Sequence, residues 1–365
     1  MTAEAHYLRS AAFWERMESI KRGIDGVAWY PYCSLANFEH FVPLLGPSAD
    51  FTALMGGGPI LDIGCADGDL SFFLESLGAA APIHALDHAG TNHNGLEGIA
   101  ALKAALGSGV EILDRDLDSS FALPSRPYSL AFCLGLLYHM KNPFHLLESL
   151  SRYARSCLLS TRIMSNFPGG EAVPPYPAAY LLDPDELNND ETNFWIFNSA
   201  GLRRLVTRAG WQIERFHTTG ATSASDPDTL ANDERAFCLL RSRRWLANLI
   251  LGEGWHEESP EGWRWTERRF AFSLMPGDWG SVALSLHAPD VVFASAREIR
   301  LEVPGVGSYL ITRPGSHVVH LRLSAGTNRL ECVLDRWLAP STADDRELGI
   351  IVTEARCFPP SGGRA

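Results

Sequence analysis

Between residues 59 and 243 short apolar runs alternate with longer stretches of helical spacing: "PILDIG", "PIHALD", "VEILDRD", "SLAFCLG", "CLLSTRI", "WQIERFHT" and "RAFCLLR". That alternation predicts a parallel sheet with crossover helices. Ahead of it, residues 4 to about 22 carry Leu8, Ala12, Trp14, Met17 and Ile20 at helical spacing. Residues 34 to 45 do the same with Leu35, Phe38 and Val42, and "GIDGVAWYPY" interrupts the two. After Arg244 the period changes to two over 268–274, 281–287, 297–303, 317–323, 328–334 and 348–354, with Gly, Pro and Asp between. Phe270, Phe272 and Leu274 then share one face, as do Ile299, Leu301 and Val303. Short strands at regular spacing with no helix between them predict an antiparallel β-sandwich. The expected architecture is therefore α/β: a helical preface or cap at 1–55, a Rossmann-like doubly wound domain at 56–243, and a β-sandwich at 244–365. "GLRRLVTRAGW" (201–211) reads as the last helix of the α/β part, ending at Gly210.

Composition narrows this picture without redirecting it. A chain of 365 residues with 46% hydrophobic and 20% charged positions has material for two or three cores. No apolar run approaches the ~20 residues of a membrane span. The start, "MTAEAHYLRSAAFWERMESI", lacks the basic end and apolar stretch of a secretory signal. Seven cysteines, at 33, 65, 133, 157, 238, 332 and 357, never form a CxxC pair. They argue against a disulfide framework or zinc knuckle and suit a reducing cytoplasm, the expected location. A net charge of −12 gives no global attraction to nucleic acid, although Arg203, Arg204 and Arg208 leave a local basic groove open.

The chemistry begins at "PILDIGCADG" (59–68), a strand running into a glycine turn. A dinucleotide fingerprint needs a central glycine for the pyrophosphate, whereas here the order is Gly64-Cys65-Ala66-Asp67-Gly68 with Asp62 just ahead. A carboxylate there repels a pyrophosphate and suits a cationic or amino-bearing ligand. Asp87 ends the next strand about 20 residues on, where an acid accepts both ribose hydroxyls. Asp116 and Leu117 follow, where an adenine amino group would meet a carboxylate and a backbone amide.

This order resembles the class I S-adenosylmethionine-dependent methyltransferases over 59–243. The resemblance implies S-adenosyl-L-methionine as cofactor and S-adenosyl-L-homocysteine as product. It implies a cofactor site of Asp62, Gly64, Ala66, Gly68, Asp87, Asp116, Leu117, Leu134 and Tyr30, with Asp62 and the turn facing the amino acid end. Ala66 departs from the glycine of many members. "LAFCLGLLYHMKNPFHLLESL" (130–150) carries G-x-L-Y-H-x-x-[ND]-P, similar to a branch that includes the tRNA wobble-uridine carboxymethyl transferases and relatives beside glycan-synthesis enzymes. In that branch the tyrosine, here Tyr138, lines the reaction centre. "WYPYCSL" (29–35) resembles the branch's aromatic lead-in, so Tyr30 or Tyr32 either closes over the cofactor or packs the preface.

Methyl transfer requires a nucleophile aligned with the methyl and relieved of its proton. His139 is the general-base candidate because imidazole titrates near neutral pH. A histidine after strand four also serves in this fold to orient backbone, and both readings stand. Tyr138, His93 and Asp190 are reserve candidates. The connection 162–198 is long enough to be a lid over the acceptor. Its Arg162, Asn189, Asp190, Asn193 and Trp195 are the expected substrate contacts. Asp190 and Glu191 alone do not compel a metal, and none is expected.

"GEGWHEESPEGWRWTERRFAFSL" (252–274) and "DDRELGIIVTEARC" (344–357) resemble β-sandwich modules appended to bacterial glycosyltransferases. Trp255, Trp263 and Trp265 either face sugar rings or fill the space between sheets. Together these resemblances imply O-methylation of a sugar or surface-glycan acceptor, with a small molecule or glycan as partner, nucleic acid disfavoured and self-association left open. The alternatives are (carboxy)methyl transfer to a tRNA wobble uridine and a non-catalytic glycan-binding scaffold.

Overall fold

The computed structural model describes residues 2–79, 81–121, 123, 128–246, 249–259, 263–274, 279–293, 297–324, 326–342 and 344–360. It comprises two compact units, Met1–Ser242 and Arg243–Ala365. The first unit opens with α1 (Ala3–Lys21), α2 (Asn37–Leu45) and α3 (Phe51–Met55). Then come β1 (Ile60–Ile63), α4 (Asp69–Ser76), β2 (Ile83–Asp87), α5 (Glu97–Leu106), β3 (Glu111–Asp114) and β4 (Tyr128–Leu134). The unit continues with α6 (Pro143–Tyr153), β5 (Ala154–Ile163), β6 (Ala179–Leu181), β7 (Trp195–Phe197), α7 (Ser199–Arg208), β8 (Trp211–Gly220) and β9 (Glu234–Ser242).

Strands β3, β2, β1, β4 and β5 lie side by side in that order and run parallel. The chain order reverses between β1 and β4, which opens a crevice beyond their carboxyl ends. β9 pairs antiparallel with β5, and β8 with β9. The expected doubly wound fold is present. One face buries Phe38, Phe41, Phe51, Phe72, Phe73, Phe132 and Phe237 under the N-terminal helices. The other buries Leu146, Leu147 and Leu150 of α6 with Leu202 and Val206 of α7. Trp211 has no exposed surface and donates its Nε1 to Leu147 O at 2.8 Å, so its polar handle is satisfied inside the core.

Two expectations need correction here. α1 buries Ala3, His6, Ser10, Met17 and Lys21, while Leu8 is 66% exposed. Met17 is buried and Trp14 and Ile20 pack against the core as expected, so only the Leu8 and Ala12 end of the expected stripe faces outward, and the inward face also carries a lysine. The long connection 162–198 is not all loop: β6 and β7 pair antiparallel within it, and Phe197 joins Ile163 of β5. Strands of three residues are too short to show a period.

The second unit holds β10 (Trp245–Leu246), β11 (Leu249–Leu251), β12 (Arg264–Trp265), β13 (Arg269–Leu274), β14 (Ser281–Ala288), α8 (Asp290–Phe293) and β15 (Ile299–Val303). It ends with β16 (Gly307–Ile311), β17 (Gly315–Arg322), β18 (Arg329–Leu334) and β19 (Ile351–Phe358). They form two antiparallel sheets, β10-β11-β13-β18-β15-β16 and β12-β19-β14-β17. Between them lie Phe270, Phe272, Leu284, Leu286, Leu301 and Leu321. Trp255 packs 5.2 Å from Phe270 and donates to Ala271 O at 2.7 Å, so this tryptophan fills the core. Residues 260–262 of the tryptophan-rich stretch lie outside the described residues. All seven cysteines are free, and no described helix is long and apolar enough to cross a membrane.

Candidate active site

The turn after β1 folds as it does because three of its residues take left-handed backbone angles: Gly64 (φ 73°), Ala66 (φ 49°) and Gly68 (φ 81°). Gly64 N and Cys65 N both donate to Leu86 O, and Gly68 N closes the turn on Cys65 O at 2.8 Å. A Cβ at Gly68 would stand 2.7 Å from Ile99 Cδ1, so glycine is needed there for packing as well. Ala66 has no such exemption, and an L-residue in this region costs ~1–2 kcal/mol. The compensation is Asp87, whose Oδ2 accepts from Ala66 N at 2.9 Å.

Asp87 ends β2 half-buried, facing the cleft. Its remaining acceptors take His88 N at 2.8 Å and Asn92 Nδ2 at 3.1 Å. Burial pushes its carboxyl up and these donors oppose. Asp62, by contrast, is 3% exposed and turns its Oδ2 to Ser71 Oγ at 2.7 Å, bracing the turn against α4 from beneath. Burial pushes it up to about 7; Ser71 opposes, and Asp87 and Asp69 add to it. Asp116 stands beyond β3, half-buried, accepting from Ser119 Oγ and from Asp118 N at 3.0 Å. The Ser119 hydrogen bond, with burial opposing, holds its carboxyl low. Leu117 sends its side chain into the core, 5% exposed, and Leu134 closes β4 half-buried.

Asp67, which the sequence left without a role, ties four segments together. Its Oδ2 accepts from Tyr30 N at 2.8 Å and its Oδ1 from Asn94 Nδ2 at 2.8 Å, and Asn94 also donates to Ala28 O. Lys21 of α1 lies 3.8 Å from Asp67 and 2.9 Å from Asp69. The aromatic lead-in is thereby held over the turn. The Tyr30 ring sits 5.4 Å from Tyr32 and 6.1 Å from His93. Burial, with Tyr138 and Tyr32 adding, pushes the Tyr30 phenol up to about 12, while Arg235 opposes. Tyr30, Tyr138, Arg235 and Asp87 thus share one neighbourhood.

At the end of β4, Gly135 (φ 69°) turns the chain into Leu137–His139. The rings of Tyr138 and His139 lie 4.4 Å apart. His139 Nδ1 is 3.2 Å from Thr192 O and 2.9 Å from Thr192 Oγ1, and Thr192 Oγ1 donates to Asp190 Oδ1 at 2.6 Å. A carbonyl only accepts, and the Thr192 hydroxyl proton is already given to Asp190. Nδ1 therefore carries the imidazole hydrogen and Nε2 the lone pair. Burial lowers the His139 pKa, with Asp190 and Thr192 opposing, so the ring is neutral at neutral pH.

Other residues expected at the acceptor lie on the same connection. Leu187, Asn188 and Asn189 are all left-handed (φ 40°, 68° and 51°), a strained run of the kind kept at functional loops. Asn193 is 4% exposed and donates Nδ2 to Leu187 O, while its Oδ1 is buried without a partner among the described residues. Trp195 donates to Lys141 O at 3.2 Å, and Asn189 is exposed. Arg162 requires a correction. It is 2% exposed, donates Nη2 to Asp226 O and Thr229 O, and pairs with Asp233, so it builds the 226–229 loop, while its Nε is buried with no acceptor among the described residues. Arg235, on β9, was the residue missed: Gly135 lies under both the Tyr138 hydroxyl and an Arg235 Nη, 3.6 and 3.7 Å from where its Cβ would be. Its approach to Tyr138 comes from sheet pairing, which no local motif announces.

Residues 39–215 match the model of a methyltransferase domain family. No curated protein matches the chain in sequence. Among solved structures, the N-terminal domain of EvdMO1 with SAH and D-fucose is 18% identical with a TM-score of 0.42, covering 63% of this chain and 96% of that one. A putative methyltransferase from Bacillus halodurans is 13% identical with a TM-score of 0.37, covering 53% and 98%. The O-methyltransferase of a trans-AT PKS multienzyme of Brevibacillus brevis, with S-adenosyl-L-homocysteine, is 16% identical with a TM-score of 0.39, covering 53% and 68%. At these scores the ligands of those proteins carry nothing over to this one.

Proposed function

Starting from a chain that carries a class I S-adenosylmethionine-dependent methyltransferase domain, we propose that it methylates a hydroxyl of a sugar or sugar-like acceptor. The observation that carries this reading is the fixed tautomer of His139. A base whose lone pair is not taken up by Thr192 is needed where the nucleophile has a proton to lose, as a hydroxyl does. The residues fit the cofactor. A Cβ at Gly64 would lie 3.3 Å from Leu136 Cδ1, so a glycine lets Leu136 pack closely against the turn, and Asp87 offers a carboxylate at the ribose position. Asp116 and Leu117 stand at the nucleoside's far end, and Tyr30 covers the turn.

When bound, the cofactor supplies an electrophilic methyl on a sulfonium, which leaves as a neutral thioether. This chain's residues do the rest. Asp190 and Thr192 hold the His139 ring, and Nε2 takes the acceptor's hydroxyl proton as the oxygen–carbon bond forms. Trp195 and the exposed Tyr32 offer flat faces at the rim. The test is methyl transfer over a panel of sugars and nucleotide sugars with His139→Gln beside the parent chain. General-base catalysis contributes ~10²–10⁴-fold, so kcat falls by about that factor while cofactor affinity stays within about twofold. A kcat within threefold of the parent would leave His139 a purely structural role.

A further inference from the structure

The guanidinium of Arg235 is held at its inner nitrogen by Asp233 and hydrogen-bonds the Tyr138 hydroxyl. Nε donates to Asp233 Oδ2 at 3.1 Å. No carboxylate or carbonyl among the described residues accepts from its Nη groups, and one of them is aimed at the end of β4, beside Gly135 and the Tyr138 hydroxyl. The ring of Tyr138 lies 5.8 Å from the guanidinium carbon. The side chain is 35% exposed, so a small ligand can reach it.

A second guanidinium stands beside it. Arg162 and Arg235 stand directly opposite each other on β5 and β9, an arrangement that like charges make unfavourable. They share one carboxylate: Asp233 Oδ1 lies 3.3 Å from Arg162 and Oδ2 faces Arg235. Asp226 is occupied in its own loop by Thr229 N and Asn232 Nδ2, and Glu234 is buried under Ser165 and Ser225. Burial depresses the His40 imidazole; Glu39 opposes, and nearby His217 and Arg235 depress it further.

We propose that Arg235, with the Tyr138 hydroxyl, forms an oxyanion subsite that selects an acceptor bearing a carboxylate or phosphate near the hydroxyl to be methylated. The Nη hydrogens that Tyr138 does not take are fixed in a planar fork that matches such a group, which a lysine does not. This rests on reading the cleft as the acceptor site, and it names the acceptor class: an acidic or phosphorylated sugar in place of a neutral one.

The test is equilibrium binding to the full chain loaded with S-adenosylhomocysteine, using glucuronate, glucose 1-phosphate and glucose as probes. At least one acidic probe binds about tenfold or more tightly than glucose, the carboxylate and phosphate arms telling which oxyanion the subsite prefers. In Arg235→Gln that preference disappears while S-adenosylhomocysteine affinity stays within twofold. In Arg235→Lys it is partly retained. Equal binding of glucose and both acids, no binding of either acid, or a preference that survives in Arg235→Gln overturns the inference. A failure of the general-base reading would appear instead in the kcat of His139→Gln, which this binding experiment does not touch.

Discussion

Lys21 of α1 is 3% exposed, and its ammonium meets Asp69 at 2.9 Å, Glu18 at 3.5 Å and Asp67 at 3.8 Å. The rings of Trp14 and Trp29 lie 4.6 and 5.7 Å from it. Asp69 is itself 2% exposed, and its Oδ1 has no partner among the described residues; burial pushes its carboxyl up, and Lys21 is what opposes this. Lys21→Met keeps the stem's apolar contacts and removes the charge, so two buried carboxylates lose their cation. Breaking a buried pair from one side costs ~3–5 kcal/mol. For a unit of this size each kcal/mol moves the midpoint by about 2–4 °C, so the melting temperature falls by roughly 6–20 °C. The assay is thermal unfolding by near-ultraviolet circular dichroism. Because Asp67 anchors Tyr30 over the turn, binding of S-adenosylhomocysteine weakens in parallel. Asp69→Asn added to Lys21→Met removes an uncompensated charge and restores more than half of the loss. A Lys21→Met midpoint within about 2 °C of the parent would show that the lysine holds nothing together.

Asp62, with a folded pKa of about 7 against an ordinary 3.8, keeps its proton in the native state over a range where the unfolded chain has released it. Stability from this group is complete below the unfolded value and is lost as pH rises towards 7, by roughly 4 kcal/mol in all. Asp62→Asn still accepts from Ser71, so its melting temperature declines less than the parent's between pH 5 and 7.5; parallel curves would refute this. Thr192→Val cuts the link between Asp190 and His139, lowering kcat about tenfold with little change in acceptor KM; an unchanged kcat would remove the relay. The parent's acid limb lies below pH 6.5, because burial favours the neutral ring. Ala66→Gly relieves the left-handed strain and raises stability by up to ~1 kcal/mol, visible as a small rise in denaturation midpoint; a fall would mean that the turn relies on the methyl.

The fold was legible because its sheet is written in local runs: the apolar strands at 60–63, 83–87 and 128–134 and the period-two segments after 268 each announce themselves within ten residues. What escaped was short or made at a distance. β6, β7 and β16 are three to five residues long, and the last reads as "GSYLI" with one buried position. The acids at 62, 87 and 116 stand out by their spacing. Lys21, Asp67, Thr192 and Arg235 acquire meaning only through partners 27 to 53 residues away or across a sheet. Arg162 misled for the same reason: it sits at a strand end beside the cleft, yet the 226–229 loop, remote in sequence, claims its guanidinium.

The central claim is that the turn at 64–68 with Asp87 holds the nucleoside and amino acid ends of S-adenosylmethionine. The most direct measurement is calorimetric titration of the intact chain with S-adenosylhomocysteine, beside Asp87→Ala. A charge-assisted hydrogen bond contributes ~1.5–3 kcal/mol, so one site is expected in the parent and an affinity weakened about tenfold to a hundredfold in the variant. No saturable binding in the parent, or equal affinity in a folded Asp87→Ala, would contradict it.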